Sequence, residues 1–209
     1  MTLTFDIGAN ELASLLCSKV CHDLVSPVGA MSMSMEMMEE PGAQEEALGL
    51  VKKSVESAAA RLQFCRLAFG ASGSVGASID TGDAEKVTSS YTAEERADVV
   101  WKVERMILPK NKVKLLLNLV VVALGTVPRG GTIEVRSEGD TEAPRFVLHS
   151  TGRKARVPVA FDEMCDGDMP EGGIDAQNVQ PYYTMLLAHE AGMNVSVELG
   201  EEEVTITAA

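Results

Sequence analysis

Two apolar series with helical spacing, separated by a proline and a glycine, occupy the first third of the chain. In the first series, residues 13–38, apolar side chains recur every three or four positions, close to the ~3.6-residue period of an amphipathic helix. The segment EPGAQ at residues 40–44 interrupts the pattern, and in the second series, residues 48–69, steps of three and four alternate strictly. The spacing therefore predicts an antiparallel helical hairpin with one apolar seam on each helix.

A hairpin with two seams does not enclose a hydrophobic core by itself, because helical bundles usually use four helices. The seam residues are Ala13, Cys17, Val20, Leu24, Val28, Met31, Met35 and Met38 on the first helix, and Leu48, Val51, Val55, Ala58, Leu62, Cys65 and Phe69 on the second. We therefore predict that two chains join their hairpins into a dimeric four-helix bundle. The alternative is that the hairpin packs on the rest of its own chain.

A glycine- and serine-rich segment, GASGSVGAS at residues 70–78, follows the hairpin and has the composition of a flexible linker. After it, helical segments such as NKVKLLLN and VQPYYTML alternate with strand segments such as ADVVWK, GTIEV and RFVLH, and MNVSVEL and EVTITA form a final strand pair. This order predicts an α+β domain, a mixed sheet with helices on one face. We divide the chain into a hairpin domain at residues 1–70, a linker at 71–82 and a second domain at 83–209.

Charge and cysteine spacing exclude several classes of function. Lysine and arginine total 18 against 31 acidic residues, and the net charge of −13 repels nucleic-acid backbones and anionic lipid surfaces. The four cysteines form no CxxC pair and no zinc-ligand spacing, which favours a reducing compartment. The longest apolar stretch, residues 113–124, is shorter than the ~20 residues needed to span a bilayer. We expect a cytoplasmic protein that binds neither nucleic acid nor membranes.

His22 lies on the first helix, about 165° around the helix axis from the apolar seam, so its side chain should face solvent. Ser26 shares this face one turn later, Ser18 and Lys19 lie one turn earlier, and Asp23 lies on the flank. A neutral imidazole nitrogen is a good nucleophile near neutral pH, and an adjacent carboxylate can fix its tautomer. The alternative interpretation is an ordinary surface histidine.

The run HDLVSP at residues 22–27 resembles the phosphoacceptor box of the two-component histidine kinases, which reads His, acidic, aliphatic, any residue, small polar, Pro. The resemblance implies that His22 carries a phosphoryl group, that Asp23 is its acid/base partner and that Ser26 influences dephosphorylation. It also implies the kinase order of domains. A DHp-like hairpin, which forms the dimeric bundle, would precede a GHKL-type α/β sandwich like the kinase ATP-binding (CA) domain.

The second domain departs from the kinase pattern in three places. Asn118 matches the first asparagine of the kinase ATP-binding segment, but Val122 replaces the second, a magnesium ligand, and valine cannot coordinate a hard cation. Ser150 and Thr151 occupy the position of the aspartate that binds adenine in kinases. The segment QNVQPYYTMLLA at residues 177–188 replaces the glycine-rich lid. These departures predict a degenerate ATP-binding domain that holds neither a nucleotide cofactor nor a metal.

A chain that combines an intact phosphoacceptor histidine with a degenerate nucleotide site resembles the ChpT class of histidine phosphotransferases. The runs HDLVSPVGA at residues 22–30 and NVQPYY at residues 178–183 fit that class. The resemblance implies a phosphorelay of cell-cycle regulation in alphaproteobacteria. In it, the receiver domain of a CckA-like hybrid kinase phosphorylates His22, which passes the group to CtrA-like and CpdR-like response regulators. The receiver domains would supply the magnesium ion.

If the hairpin folds symmetrically about its turn, Arg61 comes level with His22. Together with Lys19 and Ser18, it would then contact the partner and neutralise an incoming phosphoryl group. The alternative is that these are ordinary solvated side chains. Two other functions compete with the relay: a pseudokinase adaptor that binds a receiver domain without exchanging phosphoryl groups, and an ATP-dependent kinase with an unusual nucleotide site.

Overall fold

The computed structural model describes residues 4–70 and 77–209. Two long helices, α1 (Ala9–Met37) and α2 (Gln44–Ala68), form the antiparallel hairpin that the apolar spacing predicts. Between them, Gly42 adopts a left-handed backbone (φ 87°), and the side-chain amide of Gln44 donates to the carbonyls of Met38 and Glu40. These bonds satisfy carbonyl groups at the end of α1, where the helical hydrogen bonds stop.

The α/β domain, residues 77–209, contains a two-stranded and a five-stranded sheet. Its elements are β1 (Ser78–Asp80), α3 (Thr81–Thr92), β2 (Ala97–Lys102), β3 (Ile107–Pro109), α4 (Lys110–Thr126), β4 (Gly131–Glu138), β5 (Arg145–Thr151), α5 (Val159–Asp166), α6 (Val179–Ala191), β6 (Val195–Leu199) and β7 (Glu203–Ala208). The large sheet has the order β2-β4-β5-β7-β6; β2 and β4 are parallel and every other neighbouring pair is antiparallel. The predicted mixed sheet and α+β class are confirmed.

One face of the large sheet is buried and the other is polar. In β4, Ile133 and Val135 are fully buried, whereas Glu134 between them forms an ion pair with Lys102 on the neighbouring strand. Helix α4 packs on the buried face and α6 packs on α4. Most residues of α4 between 113 and 123 are buried, so this helix is apolar around most of its circumference, as expected for a central core helix.

The hairpin is also packed on the α/β domain. The last turns of α2 contact α3 and α4, and Phe64 and Ala68 belong to the common hydrophobic core. The ring of Phe64 stacks on Tyr91 of α3, with centroids 4.1 Å apart and planes at 18°. At the start of the hairpin, Phe5 meets Tyr182 of α6 edge to face. The alternative interpretation, a hairpin packed on its own chain, therefore holds for this end of the hairpin.

The two helices approach each other through small side chains. Pro27 and Ser34 of α1 and Ala47, Ser54 and Ala58 of α2 are buried. Larger seam residues stay exposed in the single chain: Val28, Met35, Leu48, Val55 and Leu62. We call these five residues the uncovered stripe. One chain alone therefore buries only part of the two predicted seams.

Residues 71–76 of the predicted linker lie outside the described residues. The last residues of the predicted linker, 78–82, form β1, which pairs with β3, and the start of α3. None of the described helices is long and apolar enough to cross a lipid bilayer.

Candidate functional site

The outer surface of α1 presents His22 to solvent, as the helical spacing predicts, with 89% of its side chain exposed. Its Nδ1 lies 3.6 Å from Oδ1 of Asp23. With the proton on Nδ1 facing this carboxylate, Nε2 carries the free lone pair and points away from it. In this tautomer Nε2 is the unprotonated nitrogen of the ring.

Asp23 is much more buried than its neighbour, with 15% of its side chain exposed. Its other oxygen, Oδ2, accepts a hydrogen bond of 2.8 Å from Nζ of Lys19, one turn earlier on α1. Lys19, which we predicted to neutralise an incoming phosphoryl group, is therefore already paired with Asp23. Ser18 and Ser26 lie exposed on the same side of α1 as His22.

A cavity of about 270 Å³ opens one turn from His22, between α1, α2 and the turn that follows α3. Its lining includes Ser26 and Pro27 from α1, Lys53 and Arg61 from α2, and Glu94 from the turn. The sequence predicts that Arg61 lies level with His22; in the structure Arg61 lines this cavity together with Ser26, one turn from His22. Of the predicted α1 residues, Ser26 is the one that shares the cavity with Arg61.

Arg61 is held by residues that the sequence analysis missed. Its Nη2 lies 3.5 Å from Oε1 of Glu95, and its guanidinium carbon lies 5.6 Å from the centroid of the Tyr91 ring. Both partners belong to the α/β domain. No motif marks them, because they reach Arg61 only when α3 packs on α2, and short-range periodicity carries no information about that contact.

Charged side chains of α1 and α2 affect the pKa values of two buried groups, Cys65 and Tyr91. Burial raises the pKa of the Cys65 thiol to about 11; the charge of Asp23 adds to the rise, while Lys19 and Arg61 oppose it. Burial also raises the pKa of Tyr91 well above its usual range, again with a contribution from Asp23 and opposition from Arg61. Asp23 and Arg61 therefore act on the same two buried groups and lie in one local electrostatic environment.

The residue that matches the kinase ATP-binding asparagine has a structural role here. Asn118 is fully buried; its Nδ2 donates to the carbonyls of Ala68 (3.2 Å) and Lys114 (2.7 Å). Its Oδ1 accepts a hydrogen bond of 2.8 Å from Nε2 of Gln180, which lies in the segment that replaces the kinase lid. Asn118 thus ties α4 to the end of α2 and to α6, while Val122 is buried in the core.

Asn118→Ala is expected to lower the free energy of unfolding by roughly 2–4 kcal/mol, because it leaves the Ala68 carbonyl and the Gln180 amide buried without their partner. Denaturant-induced unfolding followed by circular dichroism measures the change. Asn194→Ala, at an exposed asparagine, is the matched control and should stay within about 0.5 kcal/mol of the parent. A loss of similar size in both variants would contradict the structural role.

Comparison with solved structures identifies the class of fold. The histidine kinase domain of a blue-light-activated kinase from Erythrobacter litoralis EL346 superposes with a TM-score of 0.51 at 16% identity, over 88% of this chain and 94% of that one. The family profile described as histidine phosphotransferase C-terminal domain matches residues 81–203. The chain is thus a histidine phosphotransferase by class, built on the histidine kinase fold.

Full-length relatives identify the family to which the chain belongs within this class. The chain is 50% identical over 208 residues to the protein phosphotransferase ChpT of Brucella abortus (strain 2308), covering 100% of both chains. The solved structure of a bacterial phosphotransferase superposes over 100% of both chains with a TM-score of 0.92 at 48% identity. The chain therefore belongs to the ChpT family of protein phosphotransferases.

Proposed function

We propose that Nε2 of His22 takes a phosphoryl group from the aspartyl phosphate of one receiver domain and passes it to the aspartate of another. The observation that carries the proposal is an exposed imidazole whose Nδ1 faces Asp23, in a member of a phosphotransferase family. In the first step the N–P bond forms while the acyl P–O bond breaks, and the aspartate leaves as a carboxylate. The second step is the same exchange in reverse, with a different receiver.

The neighbouring side chains support this exchange. Asp23 keeps the proton on Nδ1 and stabilises the positive charge that the ring gains as Nε2 forms its bond to phosphorus. Lys19 supplies positive charge to Asp23, and Arg61 lines the cavity together with Ser26, whose hydroxyl lies one turn from the ring. Phosphoryl transfer depends mainly on position and charge neutralisation, so this set of groups is sufficient on the histidine side.

We further propose that the chain uses no ATP, cofactor or metal of its own and that each receiver brings the magnesium ion. Asn118 supports this proposal because its side-chain nitrogen and oxygen are already bonded inside the protein. The buried side chain of Val122 supports it as well, since it offers no ligand atom.

The surface around His22 suits a docking helix of a receiver domain. Val25 and Met33 flank it on α1 with 69% and 72% exposure, and Leu50 is exposed on the adjacent face of α2. Exposed apolar side chains beside a reactive group are typical of a protein-binding surface. By the family resemblance, the partners would be a CckA-like hybrid kinase and CtrA-like and CpdR-like response regulators of the cell cycle.

We also propose that the chain acts as a homodimer through a four-helix bundle. The uncovered stripe supports this, because Val28 and Met35 on α1 and Val55 and Leu62 on α2 each lie one heptad apart. A second copy of the hairpin would cover such a stripe from both helices at once.

A transfer assay tests the relay. A panel of receiver domains is phosphorylated with labelled phosphate and mixed, in magnesium and without ATP, with the chain. We expect an acid-labile, base-stable adduct that peptide mapping places on His22, and chase of this label onto a second receiver. Tight binding of a receiver without any labelled chain would instead favour the adaptor function.

A further inference from the structure

Two residues of the α/β domain extend the phosphoacceptor site beyond the hairpin. We propose that Glu95 and Tyr91 are positioning residues that hold the guanidinium of Arg61 beside the cavity at Ser26 and away from Asp23. The inference rests on the proposed phosphoryl transfer through His22. It gives the degenerate domain a direct part in the chemistry of a site that lies on the hairpin.

Two contacts from α3 and the turn that follows it restrict Arg61. The Tyr91 ring lies under the guanidinium at 5.6 Å, and Oε1 of Glu95, four residues further along the chain, forms an ion pair with Nη2 at 3.5 Å. Tyr91 is itself fixed, since it is buried and stacks on Phe64 of α2. A guanidinium cation that lies over an aromatic ring and forms an ion pair at one end is restricted in position.

Asp23 is the competing partner for Arg61. Its charge reaches the same buried groups, Cys65 and Tyr91, that the charge of Arg61 reaches, yet the described residues contain no ion pair between Asp23 and Arg61. An arginine that turned to Asp23 would draw the carboxylate away from Nδ1 of His22. The Glu95 contact therefore keeps Asp23 available to the imidazole.

The position of Arg61 also suits the transferred group. With Nη2 paired to Glu95, its Nη1 makes no hydrogen bond within the described part of the chain, and the side chain lines the cavity that Ser26 shares. A phosphoryl group moving to His22 has three equatorial oxygens that require donors. Arg61 can then donate to such an oxygen while Glu95 and Tyr91 maintain its orientation.

A double-mutant cycle on the transfer rate tests the inference. Single-turnover transfer from a phosphorylated receiver is measured for the parent, Glu95→Gln, Arg61→Gln and the double variant, over a range of receiver concentrations. We expect Glu95→Gln to lower the maximal rate about fivefold and Arg61→Gln about twentyfold, with half-saturating concentrations within about twofold of the parent. The double variant should be no slower than Arg61→Gln, because Glu95 acts only through Arg61.

Glu85→Gln is the matched control, since it removes the same charge from an exposed position on α3, and its rate should equal that of the parent. Melting temperatures of all variants separate loss of folding from loss of rate. An unchanged rate in Glu95→Gln, or losses that multiply in the double variant, would overturn the positioning role while the proposed function stands. A parent chain that takes no label from any receiver would overturn the proposed function itself.

Discussion

His22→Ala is expected to lower the rate of phosphoryl acceptance from a receiver domain by at least about a thousandfold, because it removes the nitrogen that we propose as the phosphoryl acceptor. The neighbouring groups cannot replace it. Asp23 is mostly buried and paired with Lys19, and the Ser26 hydroxyl has no adjacent base to activate it among its described contacts. The measurement is single-turnover transfer of labelled phosphate, with the labelled chain resolved from the receiver by electrophoresis.

A control variant and an affinity measurement make the test specific. His189→Ala removes the same side chain from an exposed position near the end of α6, and it should leave the transfer rate within about twofold of the parent. Receiver affinity, measured by calorimetry, should change little in His22→Ala, because this variant leaves the exposed apolar residues Val25 and Met33, the proposed docking surface, unchanged. Labelling of His22→Ala at the parental rate would contradict the assignment of the phosphoacceptor.

The double variant Val55→Glu, Leu62→Glu is expected to convert the proposed dimer into a monomer. Each carboxylate would be buried in an apolar helical interface at a penalty of roughly 2–3 kcal/mol, and symmetry places four of them in one dimer, giving roughly 8–12 kcal/mol in total. Such a loss is about as large as, or larger than, the roughly 8 kcal/mol that micromolar association supplies. Sedimentation velocity over a range of concentrations measures the change.

Leu199→Glu is the control for the added charge, because Leu199 is an equally exposed apolar residue at the edge of the large sheet. That variant should remain dimeric. Thiol labelling provides a second readout: Cys21 is exposed in the single chain and lies one heptad before Val28. It should therefore react faster in the double variant than in the parent. A parent chain that sediments as a monomer throughout would contradict the dimer.

Local periodicity accounts for the parts of the fold that could be predicted. The hairpin follows from the spacing of apolar residues around the break at residues 40–44, and the exposure of His22 follows from the same helical geometry. Strands β4 and β7 alternate between buried and more accessible residues, which gives them a clear pattern, and β5 is recognisable as a short apolar run with three successive buried residues. The three-residue strands β1 and β3 are too short to show one, and the eight-residue helix α5 spans only two turns.

The arrangement of the candidate site residues on α1 could be predicted from the sequence, whereas the contacts made by Arg61 on α2 could not. His22, Asp23 and Ser26 lie within one segment whose geometry is set by a single helix. The pairing of Lys19 with Asp23 follows the ordinary spacing of four residues and could have been read from the sequence. The contacts of Arg61 with Tyr91 and Glu95 depend instead on the packing of α3 against α2, which no short-range signal encodes.

The hydrogen bonds of Asn118 affect which mutations this protein could accumulate during evolution. On the proposal that this domain binds no nucleotide, acquiring such a site would need the Asn118 amide to be released, which leaves a carbonyl of α2 and an amide of α6 buried without partners. It would also need a polar residue at position 122, which lies within the apolar core. Each step alone is destabilising and completes no binding site, so neither change would be favoured without the other.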